Sequence, residues 1–332
     1  MPLPKLNLTS DYYTGAHPSL LWEMTICQSL GDGTGAFAKA LEKPAAYGNL
    51  IADYLGQSAS WPRECGEIIE IGGGYGTLMA ALLEVLKPQK ITMVDISPLL
   101  LQKQQERLAQ FSISFHCEDI FAWLPTLQRP VDLLILNEII GDFPTITGLS
   151  KTALQTHLQK PPAELETTKS PADLTPQQLL SEAARLIAAY NLELDDLPEL
   201  FNLNYGALLF IERLAKTQVK RAFITEHGCD TILPYPFSLY PAIQPKNLDL
   251  NPRRIQLKDH DEYNIRFDHL EKVAKALNFK VKRFHLMDLL KVRFDDEINY
   301  LLTSQRPTNE EQEILLEFLE HIAEYQGILI AR

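Results

Sequence analysis

The chain has 332 residues, 45% of them hydrophobic and 22% charged, the ordinary mixture of a soluble globular protein with ample material for a packed core. That length points to one large domain with insertions, or to two domains. Its 43 Asp and Glu against 31 Lys and Arg give a net charge of −12, which suits a cationic substrate and disfavours nucleic acid as a partner.

No uncharged apolar stretch approaches the roughly 18–20 residues needed to span a bilayer, so a membrane is not an expected partner. The opening MPLPKLNLTSDYYT lacks the patterns of a secretory signal or transit peptide, and a cytoplasmic location is expected. Cys27, Cys65, Cys117 and Cys229 form no C-x-x-C pair. The eight histidines are scattered without an H-E-x-x-H, so the spacing signals neither a disulfide framework nor a metal site.

Residues 1–66 read as a helical N-terminal region, with LLWEMTICQSL and YGNLIADYL apolar at helical spacing and GDGTG between them. From residue 67 strands alternate with helices. EIIEI runs into GGGYG and the helical TLMAALLEVLK, and KITMVD follows as a second strand. Ser97 and Pro98 then supply an N-cap and first position for PLLLQKQQERLAQF. ISFH and VDLLILN make a third and fourth strand, and runs such as LLIL suit a parallel sheet covered on both faces. The core's first half thus spans 67–149, in a doubly wound α/β fold.

Residues 150–216 read as a helical insertion or lid. A Pro-rich excursion, KPPAELETTKSPADLTP, precedes PQQLLSEAARLIAAY and the helical-looking DLPELFNLNYGALLFIERLAK. The core's second half is expected over 217–306. RAFITEHG is its fifth strand, FDHLEKVAKALNF a helix, and FKVKRFHL with INYLLTSQ an antiparallel terminal hairpin. Residues 307–332 read as a C-terminal helix and tail, packed at home or across a homodimer.

The most informative segment is Glu70-Ile-Gly72-Gly73-Gly74-Tyr75-Gly76, between a predicted strand and a predicted helix. Glycines there permit a tight turn and close approach of a ligand to the backbone. A dinucleotide fingerprint needs G-x-G-x-x-G, but Thr77 stands where the third glycine would fall, which disfavours a nicotinamide-dependent oxidoreductase. Glu70 would repel a pyrophosphate and attract a cationic ligand. Asp95 ends the second strand, followed by Ile96, where a carboxylate can accept from both hydroxyls of a ribose.

This pattern resembles the class I S-adenosylmethionine (SAM)-dependent methyltransferases. The resemblance implies a Rossmann-like, seven-stranded sheet, SAM as cofactor, and cofactor contacts from Glu70, Gly72, Gly74, Tyr75, Gly76, Asp95, Ile96 and Asn137. It also implies that Asp119 and Ile120, in Cys117-Glu118-Asp119-Ile120, lie by the adenine. A narrower resemblance, over residues 45–145 and 201–300, is to the MidA family, which includes a mitochondrial complex I assembly factor that methylates a protein arginine. It rests on YGNLIADYL, IIEIGGGYGTLMAALL and Asn137-Glu138-Ile139-Ile140-Gly141-Asp142-Phe143-Pro144. The last is similar to the family's N-E-F-F-D-A-L-P, with Asp142 displaced by one position. The family's hairpin-like strands between the fourth and fifth strands are replaced, on this reading, by helix.

Methyl transfer from a sulfonium is an in-line displacement that placement and water exclusion can drive. Glu138 and Asn137 are the expected catalytic residues. Glu138 would pair with two N–H groups of a guanidinium and receive its proton, or else cap a helix or bind the methionine ammonium. Tyr75 either covers the ligand or packs, and Tyr12-Tyr13 resembles the family's G-Y-Y. Glu226-His227 is not expected to act as a dyad, since neighbours in a strand point to opposite faces. The methyl acceptor is a protein arginine or a small molecule, with a SAM-binding assembly protein as the non-catalytic alternative.

Overall fold

The computed structural model describes residues 3–16, 18–20, 24–57, 65–158, 171–245 and 250–332. Most of the Pro-rich excursion, residues 159–170, and part of the first expected helix, residues 21–23, lie outside the described residues.

Twelve strands follow in chain order: β1 Lys5–Asn7, β2 Glu67–Ile71, β3 Lys90–Asp95, β4 Ser114–Cys117, β5 Leu133–Asn137, β6 Thr145–Ser150, β7 Leu200–Leu203, β8 Arg221–His227, β9 Arg254–Gln256, β10 Asp261–Tyr263, β11 Lys280–His285 and β12 Tyr325–Ala331. Seven of them form one sheet in the order β11-β12-β8-β5-β2-β3-β4. The β8-β5-β2-β3-β4 block is parallel, and β12 runs antiparallel to both its neighbours. Numbered along the chain, the seven strands lie 3-2-1-4-5-7-6. This is a Rossmann-like sheet whose order reverses between β2 and β5, and a ligand crevice belongs outside the carboxyl ends of the strands there.

The apolar runs make that sheet because both of its faces are covered. In β5 all five residues are buried, with Leu134 and Leu136 in one core and Leu133 and Ile135 in the other. Helices Tyr47–Gly56 and Thr77–Val85 cover one face, and Tyr205–Leu214 and Phe267–Ala276 the other. Gly48 lets the first two helices touch backbone to backbone, since a Cβ there would lie 2.4 Å from the Leu78 carbonyl oxygen.

Three expectations are corrected. INYLLTSQ is not a strand but part of the helix Asp296–Ser304. The Asp295 carboxylate caps it by accepting from Ile298 N at 3.0 Å, and buried Ile298, Leu301 and Leu302 recur at helical spacing. The strand antiparallel to β11 is instead β12, in the expected tail, with Ile328 and Ile330 in one core and Tyr325 in the other. The stretch between the fourth and fifth core strands is not wholly helical. β6 and β7 pair antiparallel there, β1 adds to β6, and only Tyr205–Leu214 of the second expected helix forms. Of LLWEMTICQSL, only Ile26–Ser29 is described as helix.

Candidate active site

β2 turns into the helix Thr77–Val85 through the glycine loop, pinned by Gly72 N donating to Val94 O (2.9 Å) and Gly76 N to Gly73 O (2.7 Å). Gly72 and Gly74 have φ of +63° and +52°, left-handed conformations that glycine adopts without strain. A Cβ on Gly72 would lie 2.6 Å from Ile139 Cδ1. At Gly74 it would meet only the end of one side chain, Leu20 Cδ1 at 3.1 Å, so no backbone stands between this glycine and the space beside it.

That space is a cavity of about 630 Å³ whose walls include Glu70, Gly72, Gly74, Tyr75, Asp95, Asn137 and Glu138. A second cavity of about 680 Å³ shares Gly72, Asp95 and Ile139 with it and extends over Ile71, Val94, Ile96, Ile120, Phe121 and Phe143, with Glu118 and Asp119 at its polar edge. Ten of the eleven residues singled out from sequence therefore line this pair of cavities. Gly76 does not; with φ +76° it forms the N-cap of the following helix.

The acids are held in different ways. Glu70 is 2% exposed, and its Oε2 has no hydrogen-bond partner among the described residues. Burial, reinforced by the Asp95 charge, pushes its pKa up to about 8. Asp95 accepts from Ser97 N (2.8 Å) and Gln104 Nε2 (2.7 Å), bonds that partly offset its burial and leave its pKa at about 6. Gln104 also donates to Gly74 O at 3.1 Å, tying the glycine loop to the Asp95 strand end. Asp119 accepts from Phe121 N at 2.6 Å, so it caps a helix as well as lining the apolar cavity.

Glu138 has φ +52°, uncommon for a residue with a side chain. Its carboxylate accepts from Ile26 N (3.0 and 3.1 Å), Asn137 Nδ2 (2.8 Å) and Tyr325 OH (2.8 Å). It thus anchors the helix Ile26–Ser29 from across the cavity, close to the capping role weighed for it, although the helix is not the next one along the chain. Burial raises its pKa to about 7 against these donors. Asn137 Oδ1 in turn accepts from Thr225 Oγ1 at 2.7 Å. The Glu226 carboxylate accepts from Gly141 N and His227 N, consistent with a structural role for that pair. The Tyr75 hydroxyl accepts from Leu20 N at 3.3 Å, placing the ring over the cavity.

Sequence reasoning missed Thr25, Cys27, Gln28 and Asp142 on the polar walls and Leu8–Ser10, Pro171 and Ala172 on the apolar one. All but Asp142 come from the N-terminal region and the insertion, whose distance along the chain hides the contact. Asp142 had a signal, its place one position beyond the motif's acid.

A tight glycine turn, an unsatisfied buried acid and an acid at the second strand end, on this sheet, define a SAM-type cavity. The family model described as "Putative S-adenosyl-L-methionine-dependent methyltransferase" matches residues 48–218, just over half of the chain, and the chain belongs to that family; its cofactor is S-adenosylmethionine. Among solved structures it is similar to the plantazolicin methyltransferase BpumL in complex with SAH (10% identity, TM-score 0.45, 98% of this chain and 94% of that one). It is also similar to Haemonchus contortus phosphoethanolamine N-methyltransferase 2 with S-adenosylhomocysteine (11% identity, TM-score 0.42, 99% of this chain and 67% of that one). No curated protein matches the chain in sequence. No described helix is long and apolar enough to cross a membrane.

Proposed function

We propose that this methyltransferase acts in line on a nitrogen of a cationic acceptor, a protein arginine as in the MidA family. The observation that carries the reading is that Glu138 lines the same cavity as Glu70 and Asp95, giving it an acidic group beyond those the cofactor needs. Bound S-adenosylmethionine supplies the electrophilic methyl group. Asp95 would accept from the ribose hydroxyls, Ile96 and Ile120 would flank the adenine, and Asp119 would take its amine. Glu70, with Gly72, Gly74 and Tyr75, would hold the methionine end, where the orphaned Glu70 oxygen gains a cationic partner. Asn137 orients Glu138, whose pKa of about 7 suits it to receive the proton shed by the alkylated nitrogen.

Support for the MidA-like reading comes from Asn137, Glu138 and Pro144 of its fourth-strand motif, and from the antiparallel β6–β7 pair where that family carries hairpin-like strands. A second reading, a small-molecule methyltransferase with the insertion as lid, is favoured by Pro171 and Ala172 in the apolar cavity wall. Incubation with methyl-labelled S-adenosylmethionine and host-cell extract separates the two. The proposal expects label in a protein band that hydrolyses to methylarginine. Label confined to small molecules would replace it with the second reading, and no label despite donor binding would favour a non-catalytic assembly role.

A further inference from the structure

Beside the polar cavity, three side chains of metal-ligating type meet from distant parts of the chain. We infer that Asp142, His260 and Glu262 bind one divalent ion of the first transition row, zinc or manganese by the nature of the donors. The inference stands on these groups alone and does not depend on the methyl acceptor.

His260 Nε2 lies 3.3 Å from Glu262 Oε1 and 3.8 Å from Asp142 Oδ1, and one donor atom from each residue falls within 4.8 Å of the others. Two ligands about 2.1 Å from a tetrahedral ion stand roughly 3.4 Å apart, so a small rotation of the longest side chain closes the set around a common centre. One imidazole and two carboxylates suit a borderline ion better than calcium or magnesium, which take oxygen donors.

The surroundings hold the donors in place. The Tyr12 ring stacks on His260, centroids 4.2 Å apart and planes at 17°. Thr9 Oγ1 donates to Asp142 O (2.9 Å), Asn7 Nδ2 to Asp261 O (2.7 Å) and Tyr263 N to Gly141 O (3.2 Å). The N-terminal segment, the loop after β5 and the β9–β10 hairpin thus join where the donors converge, and an ion there would clamp all three beside the cavity that Asp142 lines. Fixing ligand orientation by such outer contacts is what ordered metal sites require. Over a hundred residues separate Asp142 from His260, which is why no spacing motif announced the set.

Tag-free protein, stripped with EDTA and dialysed, is titrated with zinc chloride and then manganese chloride by calorimetry, alongside His260→Ala and Glu262→Gln. One ion per chain is expected for the wild type, with affinity lowered at least tenfold in both variants. No stoichiometric uptake, or a folded variant binding as the wild type does, would overturn the site; if His260→Ala loses its far-ultraviolet circular dichroism, the near-isosteric Glu262→Gln carries the test. S-adenosylhomocysteine affinity on the same samples keeps the outcomes apart, since failure of the metal site leaves donor binding intact.

Discussion

At the scale of single residues, Gly74 and Glu138 divide donor binding from transfer. Gly74→Val places a branched side chain at positive φ in a backbone that faces the cavity. S-adenosylhomocysteine affinity should fall at least tenfold by calorimetry, and the backbone strain should lower the unfolding midpoint of the free protein as well; unaltered affinity would show the glycine loop misassigned. Glu138→Gln keeps the side chain's shape and should retain donor binding while turnover falls about a hundredfold or more. Turnover equal to wild type would leave Glu138 as the anchor of Ile26–Ser29 and nothing else. Glu70, Asp95 and the glycines were legible in the sequence because a ligand-shaped turn leaves a local signature. The partners of Glu138 were not, because Ile26 and Tyr325 lie 112 and 187 residues away along the chain and meet it only in the fold.

At the scale of elements, the parallel half of the sheet was legible strand by strand, since β2, β3 and β5 are runs of mostly apolar residues spaced by helices. The antiparallel edge misled because INYLLTSQ carries β-formers at positions where Asp295 and the 298, 301, 302 spacing favour a helix. β7 was hidden in a similar way, read together with the helix that follows it. Helix contact depends on smallness at one point. Gly48→Ala should destabilise the protein by about 1–3 kcal/mol in urea unfolding, because the backbone of Thr77–Val85 leaves no room for a methyl group. A change under about 0.5 kcal/mol would mean that the two helices can separate without cost.

At the scale of the whole molecule, two sets of buried groups set the pH response. Glu70, Glu138, Glu226 and Asp95, raised by burial to about 8, 7, 7 and 6, hold protons in the folded state that the unfolded chain has already released. Their effect lowers stability as pH rises from about 4.5 to 8. Burial lowers His227 and His285 to about 4 and His321 to about 3, which adds stability as pH climbs towards 6.5. The two trends oppose each other below pH 6.5, and above it only the acids act. Between pH 6.5 and 8 the melting temperature of cofactor-free protein should therefore fall, and the gain from added S-adenosylmethionine should grow, because a cationic ligand favours ionised Glu70. A flat profile in Glu70→Gln beside a sloping wild type would assign the slope to that residue. Equal slopes in both would remove Glu70 from the account.

The strand β12 lies between β8 and β11 although it leaves the ribosome after both. Until it arrives, each of those strands presents an open edge, the usual template for unwanted pairing between chains. A stop codon just before Tyr325 would remove less than a tenth of the chain, yet it would leave a gap one strand in from the sheet's edge and deprive Glu138 of a donor. Such a product should collect in inclusion bodies, whereas the full chain, made under the same conditions, remains in the supernatant. Without β12 the strands β8 and β11 stay unjoined and Glu138 lacks the Tyr325 hydroxyl, so the truncated enzyme should be degraded by added protease faster than the full one.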